Sequence, residues 1–248
     1  RGAYKMNTSI FLSMSLFPAA VYSFTIVAGL VATCPAANAT FTHPGILHSR
    51  AELDFVKAKV AKGEEPWKSA WEELRSHDLS ELDWKPKPTA DVVRGVRNHP
   101  DIGGTNLMRD GAATYSHAIQ WYVTGKQPHA DKAIEILNAY ADTLKSIGGH
   151  DARLLAGMAG ITFTNAAEII RHTDAGWNES DQERFERLLR EVFHDVIKDF
   201  YPTANGNWDA AMIQTMLAMG VFLEDRAMFQ RAVDYTLSDK GNGAIGKY

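Results

Sequence analysis

Cysteine is almost missing: the 248-residue chain holds one, Cys34. A disulfide scaffold and a cysteine-ligated zinc site are thereby excluded. Positive charge is also short, with 26 Lys and Arg against 30 Asp and Glu and a net charge of −4. A nucleic-acid binder needs a broad basic surface, which this balance does not supply. There is no His-Glu-x-x-His element, no Walker loop and no dinucleotide fingerprint. Gly157-Met158-Ala159-Gly160 lies inside a helical pattern rather than after a strand. No cofactor and no metal are expected. Before the C-terminus no alternating apolar stretch rivals the helical patterns in length.

The first residues are the least ordinary. Lys5 and Met6 precede a stretch from Ile10 to Cys34 that carries no charge and is largely apolar. Ala37-Asn38-Ala39 has the small-x-small pattern of a signal-peptidase site. Residues 1–39 are therefore expected to be a signal peptide with upstream residues, starting in earnest at Met6, and 40–248 the mature domain. A retained signal anchor is the competing reading; Pro18, Gly29 and the cleavage pattern favour removal. Removal would take Arg1 and Lys5 and no acid, moving the net charge from −4 to −6. The expected location is secreted or extracellular, periplasmic in a bacterium, with no stable membrane association after signal removal.

What remains is helical. Ser49 caps a helix expected over Arg50–Lys62, with Leu53, Val56 and Val60 on one face and Gly63 as its stop. Pro66 opens a second, Trp67–Ser76. Residues 78–100 show no sustained period and read as a long irregular segment. Helices follow over Leu107–Thr124, Pro128–Ser146, Ala152–Arg171, Asn178–Asp199, Trp208–Leu223 and Ala227–Leu237, with a Gly-rich tail after Gly241. Gly125 and the Pro202-Thr203-Ala204-Asn205-Gly206 turn are breaks of the expected kind.

Three loops rich in Gly or Asn, at Gly103, Gly148 and Gly206, each precede a strongly apolar helix. Each apolar helix is followed by a more polar, amphipathic one. Helices that are apolar all round are buried, and amphipathic ones lie at the surface. The repeat is inner helix, outer helix, with a period of about 45–60 residues, and no tetratricopeptide or ankyrin signature accompanies it. This alternation predicts an all-α fold, an incomplete (α/α) toroid of helical hairpins, with the three Gly-rich loops around one cleft.

Gly103-Gly104-Thr105-Asn106-Leu107-Met108-Arg109-Asp110-Gly111-Ala112, the Gly148-Gly149-His150 loop and Asn205-Gly206-Asn207-Trp208-Asp209 together resemble the alginate-lyase-like polysaccharide lyases with α/α-toroid folds. The resemblance runs from about Phe41 to Tyr248 and implies β-elimination on an acidic polysaccharide built from uronic acids. Related lyases carry an Asn-His pair where this chain has Asn205-Gly206-Asn207-Trp208, so one histidine is missing. They also place an arginine and a tyrosine or histidine further along, which here would fall past Tyr248. The resemblance thus implies a domain truncated at the C-terminus.

β-Elimination requires a uronate carboxylate neutralised by hydrogen bonds, a base for the carbon-5 proton and an acid for the leaving oxygen. Asn205 and Asn207 carry suitable amide donors, although both residue types also shape turns and cap helices. His150 follows two glycines and should face the cleft, as carboxylate partner, base, or merely a loop histidine. These three are the candidate catalytic residues. Trp208 is a sugar platform or a core tryptophan. Arg109 binds substrate or forms an ion pair with adjacent Asp110. Tyr201 completes the candidate substrate-binding set, and Tyr201 and Tyr115 are secondary acid/base candidates. Asp209 reads as a helix-start carboxylate. Two other classes stay open: a glycoside hydrolase using two of Asp101, Asp110, Asp151 and Asp209, and a carbohydrate-binding protein without turnover.

Overall fold

The computed structural model describes residues 40–248, a compact unit of its own. The expected leader lies outside these residues. Nine α-helices and three short strands are found among the described residues: α1 Arg50–Lys62, α2 Trp67–Ser76, β1 Asp91–Val96, β2 His99–Ile102, α3 Gly104–Thr124, α4 Gln127–Thr143, β3 Ser146–Gly148, α5 Ala152–Arg171, α6 Glu179–Leu188, α7 His194–Ile197, α8 Gly206–Phe222 and α9 Arg226–Thr236. None of the helices is long and apolar enough to cross a membrane.

Local chemistry sets most of these boundaries. Ser49 accepts from the Glu52 N–H while the Glu52 carboxylate returns to the Ser49 backbone, a reciprocal cap on α1. Gly63 ends that helix at φ 66°, and Gly125 ends α3 at the same φ. Both need the left-handed region that a side chain disfavours. The expected helix over 178–199 is real but interrupted: a π-helical turn, Leu189–Phe193, separates α6 from α7.

The small residues of the apolar helices fix how they pack. Gly104 faces Leu155 and Gly111 faces Thr162 and Phe163, so both partners advance together and α3 runs parallel to α5. Gly157 meets the Ala211 backbone and Gly160 meets Thr215, so α5 also runs parallel to α8. The Thr215 hydroxyl donates to the Gly157 carbonyl at 2.5 Å, one turn-to-turn bond across that contact. Parallel helices must return through connecting helices, and α4, α6 with α7, and α9 provide the returns; α4 packs on α3, α5 and α6, and α9 packs on α8. Tyr140, Phe163, Phe185, Phe193 and Phe222 are fully buried in the core between these layers.

The expected irregular segment at 78–100 is partly a sheet, a correction to the sequence reading. β1 pairs antiparallel with β2 through Arg94↔Asp101 and Val96↔His99, across a turn whose two residues, Arg97 and Asn98, have φ of 52° and 64°. Positive φ at both positions is what a tight hairpin turn needs. β1 also pairs in parallel with β3, through Val92↔Ile147. The strands are too short to show a period. Pro100 sits on β2, an edge strand in the order β2-β1-β3, where a missing N–H is tolerated.

Candidate active site

Parallel packing of α3, α5 and α8 brings their N-terminal ends, and the three Gly- or Asn-rich loops, to the same end of the layer. The sheet fixes the middle loop. Gly149 has φ 93°, and a Cβ there would strike the Arg94 backbone. The Asp151 N–H donates to the Arg94 carbonyl at 2.9 Å. With the loop clamped on β1, His150 is turned outward and its side chain is 63% exposed. Its Nδ1 lies 2.6 Å from Oδ1 of the buried Asp151. With Asp151 ionised, Nδ1–H is the donor, and the neutral ring carries its lone pair on Nε2, away from the carboxylate.

The loop before α8 is held from its buried side. Asp209 is fully buried. Its carboxylate accepts from the Tyr201 N–H at 3.1 Å, the Tyr235 hydroxyl at 3.0 Å and the Gly243 N–H at 2.9 Å. The Tyr235 phenol is pushed up from its usual range, by burial first and by the Asp209 carboxylate second. Asn242 adds its own N–H to the Pro202 carbonyl and its side-chain amide to the Ala204 carbonyl. The Gly-rich tail is therefore a brace for the loop, and Asp209 is a structural carboxylate at the helix start.

On the open side, the His150 and Trp208 rings meet edge to face with centroids 6.1 Å apart. The Tyr201 and Trp208 rings are 6.5 Å apart. The Arg153 guanidinium lies 4.9 Å from the Tyr201 ring centroid, within cation–π range. Trp208 is half-buried, so it is neither a core tryptophan nor a free one. Asn205 stands at the N-cap position of α8, but its side chain makes no cap bond. Asn205 and Asn207 are exposed, and neither side-chain amide bonds to any of the described residues. The structure thus gathers His150, Trp208 and Tyr201, with Asn205 and Asn207 on the same turn as Trp208.

Arg153 was not among the residues singled out from the sequence. The signal was there: it is the single charged side chain in the first four turns of α5, an otherwise apolar helix.

Arg109 contacts none of this cluster. Its guanidinium pairs with Asp78 at 2.6 Å and lies 5.2 Å from the Trp84 ring centroid, beside a hollow of about 630 Å³ shared with Lys85, Lys87 and Asn106. The expected Arg109–Asp110 ion pair does not form. Adjacent residues on a helix point in different directions. Asp110 is buried, and accepts from the Trp84 indole at 2.9 Å, the Lys87 N–H at 2.8 Å and the Tyr140 hydroxyl at 2.7 Å. Tyr115 is also engaged, hydrogen-bonded to His48, and burial pushes its phenol up to about 12. Among the described residues, the group of histidines and carboxylates close enough to share a cation is His43, Glu168 and His172, at the opposite end of α5.

Comparison with known proteins agrees with the resemblance. A family model described as alginate lyase matches residues 56–246. No match was found among curated proteins or solved structures. The matched region includes every element from α2 to α9 and all three Gly- or Asn-rich loops, and the chain belongs to the alginate lyase family.

Proposed function

We propose that the protein is a polysaccharide lyase that cleaves a uronic-acid-containing polymer, alginate or a related polyuronate, by β-elimination at the open end of α5 and α8. The observation that carries this reading is the solvent-accessible His150–Trp208–Tyr201 cluster, exposed at His150 and half-buried at the other two, with the unpartnered amides of Asn205 and Asn207 on the Trp208 turn and the Arg153 guanidinium on the Tyr201 ring.

The chemistry assigns each group a task. The Asn207 amide, helped by Asn205 and Arg153, binds the substrate carboxylate and stabilises the charge that moves onto it as the carbon-5 proton leaves. His150 takes that proton on Nε2, because Asp151 holds Nδ1. The electrons of the broken C–H bond form the carbon-4 to carbon-5 double bond, and the bond from carbon 4 to the leaving oxygen breaks. Tyr201 donates a proton to that oxygen and regains one through water as His150 releases the proton it took, so both groups return to their starting states. Trp208 offers a ring face for a sugar to stack on.

The carboxylates argue against a hydrolase. Asp110 and Asp209 are buried with both oxygens bonded, Asp101 accepts from Thr105, and Asp151 is engaged by His150. None is left as a free pair across a glycosidic bond. We place α3, α5 and α8 as inner helices of an α/α toroid and α4, α6–α7 and α9 as outer ones. Export after cleavage behind Ala39 completes the proposal, and N-terminal sequencing of the exported protein tests it.

The deciding experiment incubates the full chain with polymannuronate, polyguluronate and polyglucuronate. A lyase yields products with an unsaturated uronate that absorbs in the near ultraviolet. New reducing ends without that absorbance would mean hydrolysis, and binding without either product would mean a sugar-binding protein.

A further inference from the structure

The C-terminal ends of α5 and α8 hold a second cluster of polar side chains, remote from the one above. Glu168 lies in the last turn of α5 and His172 caps its C-terminus, four residues on, so the two sit on one side of the helix end. The segment entering the fold lies against them. His43 places Nδ1 2.6 Å from Glu168 Oε1, and Nε2 2.5 Å from Glu224 Oε1 just past α8. The His43 and His172 rings stack at 4.1 Å with 13° between their planes. Gly45 donates its N–H to the same Glu168 Oε1 at 3.0 Å, and Leu47 donates to Asn165 at 3.1 Å.

One feature leaves this cluster chemically incomplete. Glu168 is 1% exposed, and its Oε2 is buried without a hydrogen-bond partner. An unpaired buried carboxylate oxygen is costly. It faces His172 Nε2 at 3.6 Å. Arg171 does not answer it: its guanidinium is turned to Glu186 at 2.6 Å. A cation held by Oε2, His172 and His43 answers it. A carboxylate bonded to the far nitrogen of a ligating histidine is the usual outer support of such sites.

We infer that His43, Glu168 and His172 form a zinc site, oriented by Glu224, that pins the entering segment to the ends of α5 and α8. The donor set of two imidazoles and a carboxylate suits zinc, with water as a fourth ligand. The three ligand atoms lie within 4.8 Å of one another. Zinc bonds of ~2.0–2.2 Å in a tetrahedron set ligand atoms roughly 3.3 Å apart. The Glu168 Oε2–His172 Nε2 separation of 3.6 Å already fits, and the His43 ring must turn out of its stack on His172 to aim Nδ1 at the same ion. The partial negative charge at the end of α5 favours a cation there. The site would stabilise the fold and stands or falls independently of the lyase reading.

The test is zinc binding to the tag-free full chain after chelator treatment, followed by calorimetry, metal analysis and melting. One zinc per chain should bind, and chelator should lower the melting temperature. Glu168→Gln, which keeps the side-chain volume, should abolish binding, as should His43→Ala and His172→Ala. Glu224→Ala should weaken it by ~10–100-fold, the usual cost of removing an outer support. Cobalt in place of zinc should give the visible bands of a tetrahedral site in the wild type and none in Glu168→Gln. Circular dichroism shows which variants are folded. No stoichiometric zinc on the wild type overturns the inference. So does zinc that survives in the folded Glu168→Gln and His172→Ala variants, which would assign it to other histidines such as His117 and His129.

Discussion

The Asp209 carboxylate and the Tyr235 hydroxyl are 3.0 Å apart on the buried side of the loop that carries Asn205 and Asn207. The candidate site is therefore only as well placed as this contact. Asp209 also receives the Tyr201 and Gly243 N–H groups, so one side chain joins the loop, α9 and the tail.

Removing that hub should be expensive. Asp209→Ala strands three donors, and a buried donor left without its partner costs about 1–3 kcal/mol. A total loss of roughly 3 kcal/mol or more is expected, because the tail can move and let water in. Tyr235→Phe removes a single bond and should cost about 1 kcal/mol. Urea unfolding of both variants checks the ranking. Equal losses would mean that the loop is held by Asn242 and by packing rather than by Asp209.

Close approach of α5 and α8 gives a second stability prediction. A Cβ on Gly157 would press on the Ala211 backbone carbonyl, which cannot swing aside as a side-chain tip can. Gly157→Ala gains ~1 kcal/mol of helix propensity but incurs overpacking of about 1–3 kcal/mol. The net effect should be destabilising, by up to about 2 kcal/mol in chemical denaturation. A stabilised variant would show that the two helices separate freely, and with them the His150 and Trp208 loops.

His117 makes stability depend on pH. It is fully buried on α3, with its Nδ1 3.0 Å from His129 Nδ1 on α4. Its pKa is lowered to about 4, by burial first, then by the charges of His129 and Lys132, against a backbone bond at Glu81. The folded value lies below the unfolded one, so between about pH 4 and pH 6.5 the unfolded chain binds the proton and the folded chain does not. Stability rises with pH through that window and falls as acid is added, by at most about 3 kcal/mol. His117→Gln should flatten this slope relative to wild type in denaturant titrations between about pH 7 and pH 4.5. An unchanged slope would assign the acid sensitivity elsewhere.

The helices were legible because their signals are local. Ser49 with Glu52, Gly63 and Gly125, and the largely apolar pattern of Ala152–Arg171 lie next to what they control. The sheet was not legible, because Val92 pairs with Ile147, far along the chain, and the strands are too short to show alternation. The same distinction separates the site residues. His150 and Trp208 were found from their loops, and only helix packing brings their rings into contact. Arg153 went unremarked because a lone charge at a helix start is usually solvated. The Arg109–Asp110 pair was read from adjacency, although neighbours on a helix face apart.

Asn207 bears most directly on the proposed chemistry. It is exposed in the first turn of α8 and its amide bonds to no described residue, so fold stability does not depend on it. If the amide binds the uronate carboxylate, the bond strengthens as charge moves onto that group in the transition state. Interactions made mainly in the transition state govern kcat, whereas uniform binding governs KM. Asn207→Ala should lower kcat by ~10²–10³-fold with an unchanged melting temperature, the usual scale for losing one oxyanion-type donor. Asn207→Asp should be at least as damaging, because it sets a second negative charge against the substrate. Trp208→Ala should act on KM, through loss of the stacking face. Steady-state kinetics on the best polyuronate, with melting curves for each variant, make the comparison. Near-normal kcat in folded Asn207→Ala would move carboxylate binding from the amide to Arg153, and Arg153→Ala would then have to show the kcat loss instead.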